Sequence, residues 1–244
     1  MKGLSVFAPR RLATLLFADA MNVSRDPMLA FATVLSVLPS IGLWFASDAI
    51  DQAGLAAGIP SLSRYFVPLA LVLPAILIGW VSGFLLIEDR DDGPLLALDV
   101  TPVGKLGFLA YRLTVSAVLT AAITAVALQL LLPWAAIWLK LLLIVTIPAD
   151  TALAAIVLLA LARNKVEGLA LTKLTNLAAI MPLAAIIPSP LRFAAGVIPT
   201  YWLGELLGLP GEAAAPAWLA AVLLIATHIF TGVIVVGLFR RRTG

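Results

Sequence analysis

Six apolar runs, at 28–47, 66–87, 104–128, 139–162, 168–188 and 216–239, are divided by shorter polar stretches. Each run is near or above the ~20 residues an α-helix needs to cross ~30 Å of hydrocarbon. The pattern predicts an all-α, polytopic membrane protein with six transmembrane helices. Ahead of the first run, residues 1–27 carry Lys2, Arg10, Arg11 and Arg25 and read as a helix lying at the cytoplasmic interface. Its amphipathicity is imperfect: Leu12, Leu15 and Leu16 share a face, and Asp19 falls there too. The apolar stretch Leu12 to Phe17 is shorter than the ~7–15 residues of a signal-peptide core, so no cleaved leader is expected. Asp26-Pro27 supplies an N-cap and a first-position proline for the first span. The domain reading is therefore an interfacial helix, 1–27, and a transmembrane domain, 28–244.

The stretch Glu88 to Lys105, EDRDDGPLLALDVTPVGK, is the longest hydrophilic run between two spans. Asp91 and Asp92 precede Gly93-Pro94, and acids before a helix start favour its positive end. Pro94 to Asp99 reads as about two helical turns carrying Leu95, Leu96 and Leu98. Thr101-Pro102 stops them and can start the next helix. A helix this short is unstable alone in water and must rest on something. Inside the second span, Gly79 and Gly83 are four apart, a spacing that lets helices approach closely; internal packing is the simpler reading. The turn at 164–168 only reverses the chain: Asn164 can end one helix, and Glu167 suits the positive start of the next. Residues 189–215 contain Pro190, Pro199, Gly204, Gly208, Pro210 and Gly211 around the aromatic pair Tyr201-Trp202. Irregular backbone is not tolerated facing lipid, so this segment lies at the outer surface or dips back as broken half-helices.

Composition agrees. The chain is 62% hydrophobic and 12% charged, where soluble domains average roughly a quarter charged; mean hydropathy is +1.10. With the N-terminus inside, 13 of the 16 Lys and Arg fall on the inner side and 3, Arg64, Lys140 and Arg192, on the outer, which predicts both termini inside. Trp44, Trp134, Trp138, Trp202 and Trp218 fall near outer ends, as an interfacial belt would; Trp80 does not. The net charge of +3 sits at membrane boundaries and not in a patch, so the expected partner is membrane lipid and not nucleic acid. The absence of Cys excludes disulfides and thiol chemistry.

Candidate chemistry is sparse. No G-x-x-x-x-G-K-[ST] occurs, so the chain has no phosphate-cradling loop of its own. There is one His, His228, and no His-carboxylate pattern for a metal. Ser82-Gly83 with His228 superficially resembles an intramembrane serine protease, but Trp80 stands where that motif needs Gly. Asp150, on the fourth span beside Pro148, and His228, on the sixth, fall near mid-bilayer, where ionisable groups are functional candidates. Asp150 either bonds to Thr146 or backbone, or, with His228, lines a translocation path. No catalytic residue and no metal ligand is assigned.

Glu88, Gly93, Leu95, Leu98, Val100, Thr101 and Pro102 together resemble the loop between the second and third helices of ABC-2 type transporter permeases. Pro94 departs from the family's usual Thr, and Asp99 from its frequent apolar residue. The Arg25-Asp26-Pro27 entry is similar to that family as well. So is the run Asn164 to Lys173, NKVEGLALTK, which is nearest to the permeases of fluoroquinolone exporters. Such permeases also carry short re-entrant helices before the last span. The resemblance implies a transmembrane permease subunit of an ATP-binding-cassette exporter in a prokaryotic inner membrane. It implies a second permease, identical or a sister, and a separate ATPase that holds ATP and Mg²⁺. Glu88, Asp91, Asp92, Gly93, Leu95, Leu98, Thr101 and Pro102 would form the coupling loop, with Lys165 and Glu167 a second contact. The weighed alternative is a standalone secondary transporter or channel, for which Asp150 and His228 are a thin set of ion-coupling groups.

Overall fold

The computed structural model describes residues 9–91, 104–211 and 214–243. Asp92, Gly93, Leu95, Leu98, Thr101 and Pro102 of the expected coupling loop, and its short helix, lie outside them. Helix α1 is Pro9–Arg25. The first span is two helices, α2 (Pro27–Leu35) and α3 (Leu38–Ala56). The others are α4 (Val67–Asp91), α5 (Gly104–Leu131), α6 (Ile137–Leu161), α7 (Lys165–Ile180) and α9 (Ala217–Thr243), with the short α8 (Tyr201–Leu206) before the last. Among the described residues, six helical segments are long and apolar enough to cross a membrane, and the regular structure is all helical.

Local sequence explains most boundaries. Asp26 caps α2, its Oδ1 accepting from the N–H of Met28 (2.9 Å) and Leu29 (3.3 Å). The first span breaks at Ser36-Val37, just before Pro39, whose missing N–H cannot extend the ladder of α2. This span also runs beyond the expected end at 47. It continues to Ala56, because Asp51 is not a loop residue but accepts from Ser63 N–H at 2.7 Å and Ser63 Oγ at 3.0 Å. Asn164 corrects another expectation. It is extended and caps α7, taking the Glu167 N–H at 2.9 Å, while Glu167 Oε2 takes the Arg163 N–H at 2.8 Å. The arrangement is a variant of a capping box, with Glu167 closing on the residue before the cap, and it starts a helix instead of ending one.

Helix α4 is the axis of the packing. Its most apolar stretch is 89% buried, against 50% for α6 and 22–28% for the other spans. Gly79 and Gly83 are what allow α6 so close. A Cβ on Gly79 would stand 2.7 Å from Ala154 Cβ, and one on Gly83 2.9 Å from Leu158 Cδ1. The two glycines thus pack inside the chain. Trp80, unexplained by the interfacial pattern, donates its Nε1–H to Thr175 Oγ1 at 2.7 Å and ties α4 to α7.

After α7 the chain loosens into 3₁₀ turns at Met181–Ile186 and Pro190–Val197 and then enters α8. All six residues of α8 are buried. Tyr201, Trp202, Leu203 and Leu206 join the main core beside Val72, Leu143 and Leu224. Residues 189–211 therefore form short, broken helices packed on the core.

Candidate functional site

Four polar groupings stand out among the described residues of the apolar helices and the segment before the last span. The first gathers the ends of α2, α4 and α7. Lys165 Nζ stands 3.0 Å from Glu88 Oε2 and 3.5 Å from Asp26 Oδ2. Asp91 pairs with its neighbour Arg90 at 3.0 Å. The Arg90 guanidinium also donates to the carbonyls of Ala162 (2.8 Å) and Arg163 (2.9 Å), closing the end of α6. Of the expected coupling residues, the described ones, Glu88, Asp91, Lys165 and Glu167, thus lie on one end of the bundle. Their side chains are partly exposed where they pair, so each bond is worth at most about 1 kcal/mol.

Just inside that end, Arg112 on α5 is buried between two acids. Its Nη2 meets Asp19 Oδ1 at 2.7 Å, and its Nη1 lies 2.9 Å from Asp89 Oδ2, close but off the direction of a hydrogen bond. Tyr111 adds its hydroxyl to Asp19 at 3.0 Å. This explains the acid on the apolar face of α1: Leu12 and Leu15 pack on the core while Asp19 reaches the arginine. From Arg112 a buried polar stripe climbs α5 at intervals of four through Ser116, Thr120 and Thr124. Ser116 bonds to Ser82 on α4, and Thr120 to Thr151 on α6 at 2.8 Å. The four-residue spacing, one face of a helix, is a signal present in the sequence that reading span by span passed over. Ser82 is engaged by Ser116 and His228 by other groups, so the superficial serine–histidine pair is not assembled.

The third grouping is deep. Asp150 on α6 and His228 on α9, each less than a tenth exposed, are brought together with Oδ1 and Nε2 3.3 Å apart. Thr146 is not the acid's partner; its hydroxyl donates to Leu142 O at 2.9 Å. His228 Nδ1 lies 2.7 Å from Leu224 O, and a carbonyl can only accept, so Nδ1 carries a proton. Nε2 then faces the carboxyl either protonated against a carboxylate or bare against a protonated acid. Both arrangements hold the same number of protons and are neutral as a pair, the cheap state in a low-dielectric interior. Val72, Thr146, Thr200 and Leu203 close a cavity of about 10 Å³ around the pair, room for about one water and no drug-sized solute.

A second buried pair sits in the 189–215 segment. Glu205 Oε1 accepts from Arg192 Nε (2.8 Å) and the Tyr201 hydroxyl (2.6 Å), and Oε2 from the Ala215 N–H (2.8 Å). Burial alone would raise the Glu205 carboxyl, but the bonds from Tyr201, Ala215 and Arg192 outweigh it and hold the acid below its ordinary value. Burial, then Glu205, pushes the Tyr201 hydroxyl up. Among the described residues, no group of three or more His, Asp or Glu is placed to hold a metal.

A family model described as Fluoroquinolones export permease protein Rv2686c-like matches residues 19–239. Two curated relatives, the Fluoroquinolones export permease proteins MT2760 and Rv2686c of two Mycobacterium tuberculosis strains, are each 30% identical over 222 residues. The alignment covers 84% of this chain and 85% of each relative. No solved structure gives a significant match.

Proposed function

Because the chain belongs to the fluoroquinolones export permease family, and is a multi-pass transport permease, we propose that it is the membrane subunit of an ATP-binding-cassette exporter. In this reading it pairs with a second permease, identical or a sister, in a prokaryotic inner membrane. Separate ATPase subunits hold ATP and Mg²⁺ and dock on residues 88–105 and on the 164–168 turn. Both termini and that docking face are cytoplasmic, α1 lies at the inner interface, and 189–215 is outside. Movement of the docked loop switches the permease between inward and outward access. The names of the relatives make fluoroquinolones the first substrates to assay.

The observation that carries the reading is the Lys165 bridge. It joins Glu88, at the head of the expected coupling loop, to Asp26, at the entry of the first span. It marks the place where α2, α4 and α7 meet beside the expected docking loop. The test places a charge on the loop's apolar face. Leu98→Asp would bury an unpaired ion against the ATPase, at a cost on the order of several kcal/mol. The variant is expected to lose the ATPase on co-purification and lose transport, while the permease alone keeps its melting temperature. A lowered melting temperature with the ATPase retained would mean that the leucines pack on this chain's own helices. The Asp150–His228 pair favours a second reading, a proton-coupled secondary transporter. Transport that survives without any ATPase in reconstituted vesicles would select it.

A further inference from the structure

At the end of the bundle opposite the Lys165 bridge, a groove of about 420 Å³ runs between the last turns of α5 and the first turns of α6. Its walls are apolar, and Val126, Ile137 and Leu141 are exposed along it. Lys140 lies at its base, only 8% exposed. The ammonium donates to Gln129 Oε1 at 3.0 Å and Pro133 O at 2.8 Å, both neutral, which leaves one of its three N–H groups. Among the described residues no carboxylate forms an ion pair with it. Helix ends do not supply the missing charge. The α5 C-terminus contributes roughly −0.5 and the α6 N-terminus roughly +0.5, so they cancel and the lysine's full positive charge remains.

The depth of this cation is set by its neighbours. Trp134 and Trp138, both exposed, flank the α5–α6 hairpin as interfacial aromatics do. Lys140 is three residues past the α6 start, about 4.5 Å deeper, and its stem reaches back toward Pro133. A buried cation whose stem reaches back to the aromatic level, at the base of an apolar channel open on its side, matches an amphiphile with an anionic head and a hydrocarbon tail. We propose that this groove binds an anionic phospholipid, with the phosphate at Lys140 Nζ and an acyl chain along Val126, Ile137 and Leu141. The site does not depend on which engine drives transport.

The test uses the purified full-length protein in detergent, titrated with phosphatidylglycerol or phosphatidylcholine of the same chain length and followed by native mass spectrometry. Wild type should bind phosphatidylglycerol more tightly than phosphatidylcholine by roughly fivefold, the equilibrium equivalent of about 1 kcal/mol for one partly screened charge contact. Lys140→Gln should erase the difference and Lys140→Arg keep it. Equal affinity for the two lipids in wild type, or a preference that survives Lys140→Gln, overturns the proposal. So does equal competition by free glycerol phosphate, which would mark an anion site without a lipid. If Lys140→Gln does not fold, Val126→Trp fills the groove mouth with the lysine intact. It should lower phosphatidylglycerol binding, and unchanged binding overturns the proposal.

Discussion

Among the described residues, two carboxylates are buried beside a base, and they are furnished very differently. Glu205 receives three hydrogen bonds, from Arg192, Tyr201 and the Ala215 backbone. Among the described residues, the Asp150 side chain meets only the His228 ring, at 3.3 Å, beside a small cavity. The partners differ in kind as well. Arginine stays charged at any accessible pH, whereas histidine and a buried acid can trade one proton. A saturated network with a permanent cation fixes a conformation. A sparse pair with a transferable proton costs less to rearrange. The Glu205 cluster is thus the staple of the 189–215 segment, and the Asp150 pair is the less tethered of the two, bridging α6 and α9 by one contact.

The largest effect that would break this contrast is expected at Glu205. Glu205→Gln leaves Arg192 buried without its carboxylate, and should cost about 3–5 kcal/mol, read as a lowered melting temperature. The wild-type stability has a matching acid limb. Because the folded carboxyl lies below its unfolded value of 4.5, its contribution is complete above that pH and is lost as pH falls through the folded value. Melts taken between about pH 3 and 6 should show this limb in wild type and lack it in the variant. Asp150→Asn should cost less, about 1–3 kcal/mol, since fewer bonds are broken. Its signature is functional: transport falls or loses its pH dependence while the protein still assembles. Unchanged transport at every pH would make the two pairs equivalent staples. The smallest effect belongs to the partly exposed bridge. Lys165→Ala should lower stability by at most about 1 kcal/mol, and added salt should hide even that.

The six spans were legible in the sequence because lipid demands long unbroken apolar runs, and little else satisfies that demand. The first span's end was not legible. Asp48 and Asp51 look like loop residues until Ser63 folds back onto Asp51 and makes the acid part of a helix end. Asp150 and His228 stood out singly, as ionisable groups in apolar runs. Their meeting depends on how α6 and α9 are rotated and set side by side, which neither run encodes alone. Arg192 read as an outer charge near the last span, although it and Glu205 are both buried. Its partner is 13 residues away across an irregular segment, where no period links the two. Arg112 was counted only for topology. Its depth within the third run was itself the sign that acids must come to it, and Asp19 and Asp89 do.

The seclusion of α4 has a consequence for anything dissolved in the bilayer. Carbene-generating photolabels, oxygen and nitroxide relaxation agents partition among the acyl chains and sample only the faces turned toward them. They would register α3, α5, α7 and α9 strongly, α6 partly, and leave Ala70 to Ile87 nearly unmarked. Changes in membrane thickness or fluidity likewise act on α4 only through its neighbours. Its immediate solvent is the rest of the protein, set at contact distance by Gly79 and Gly83.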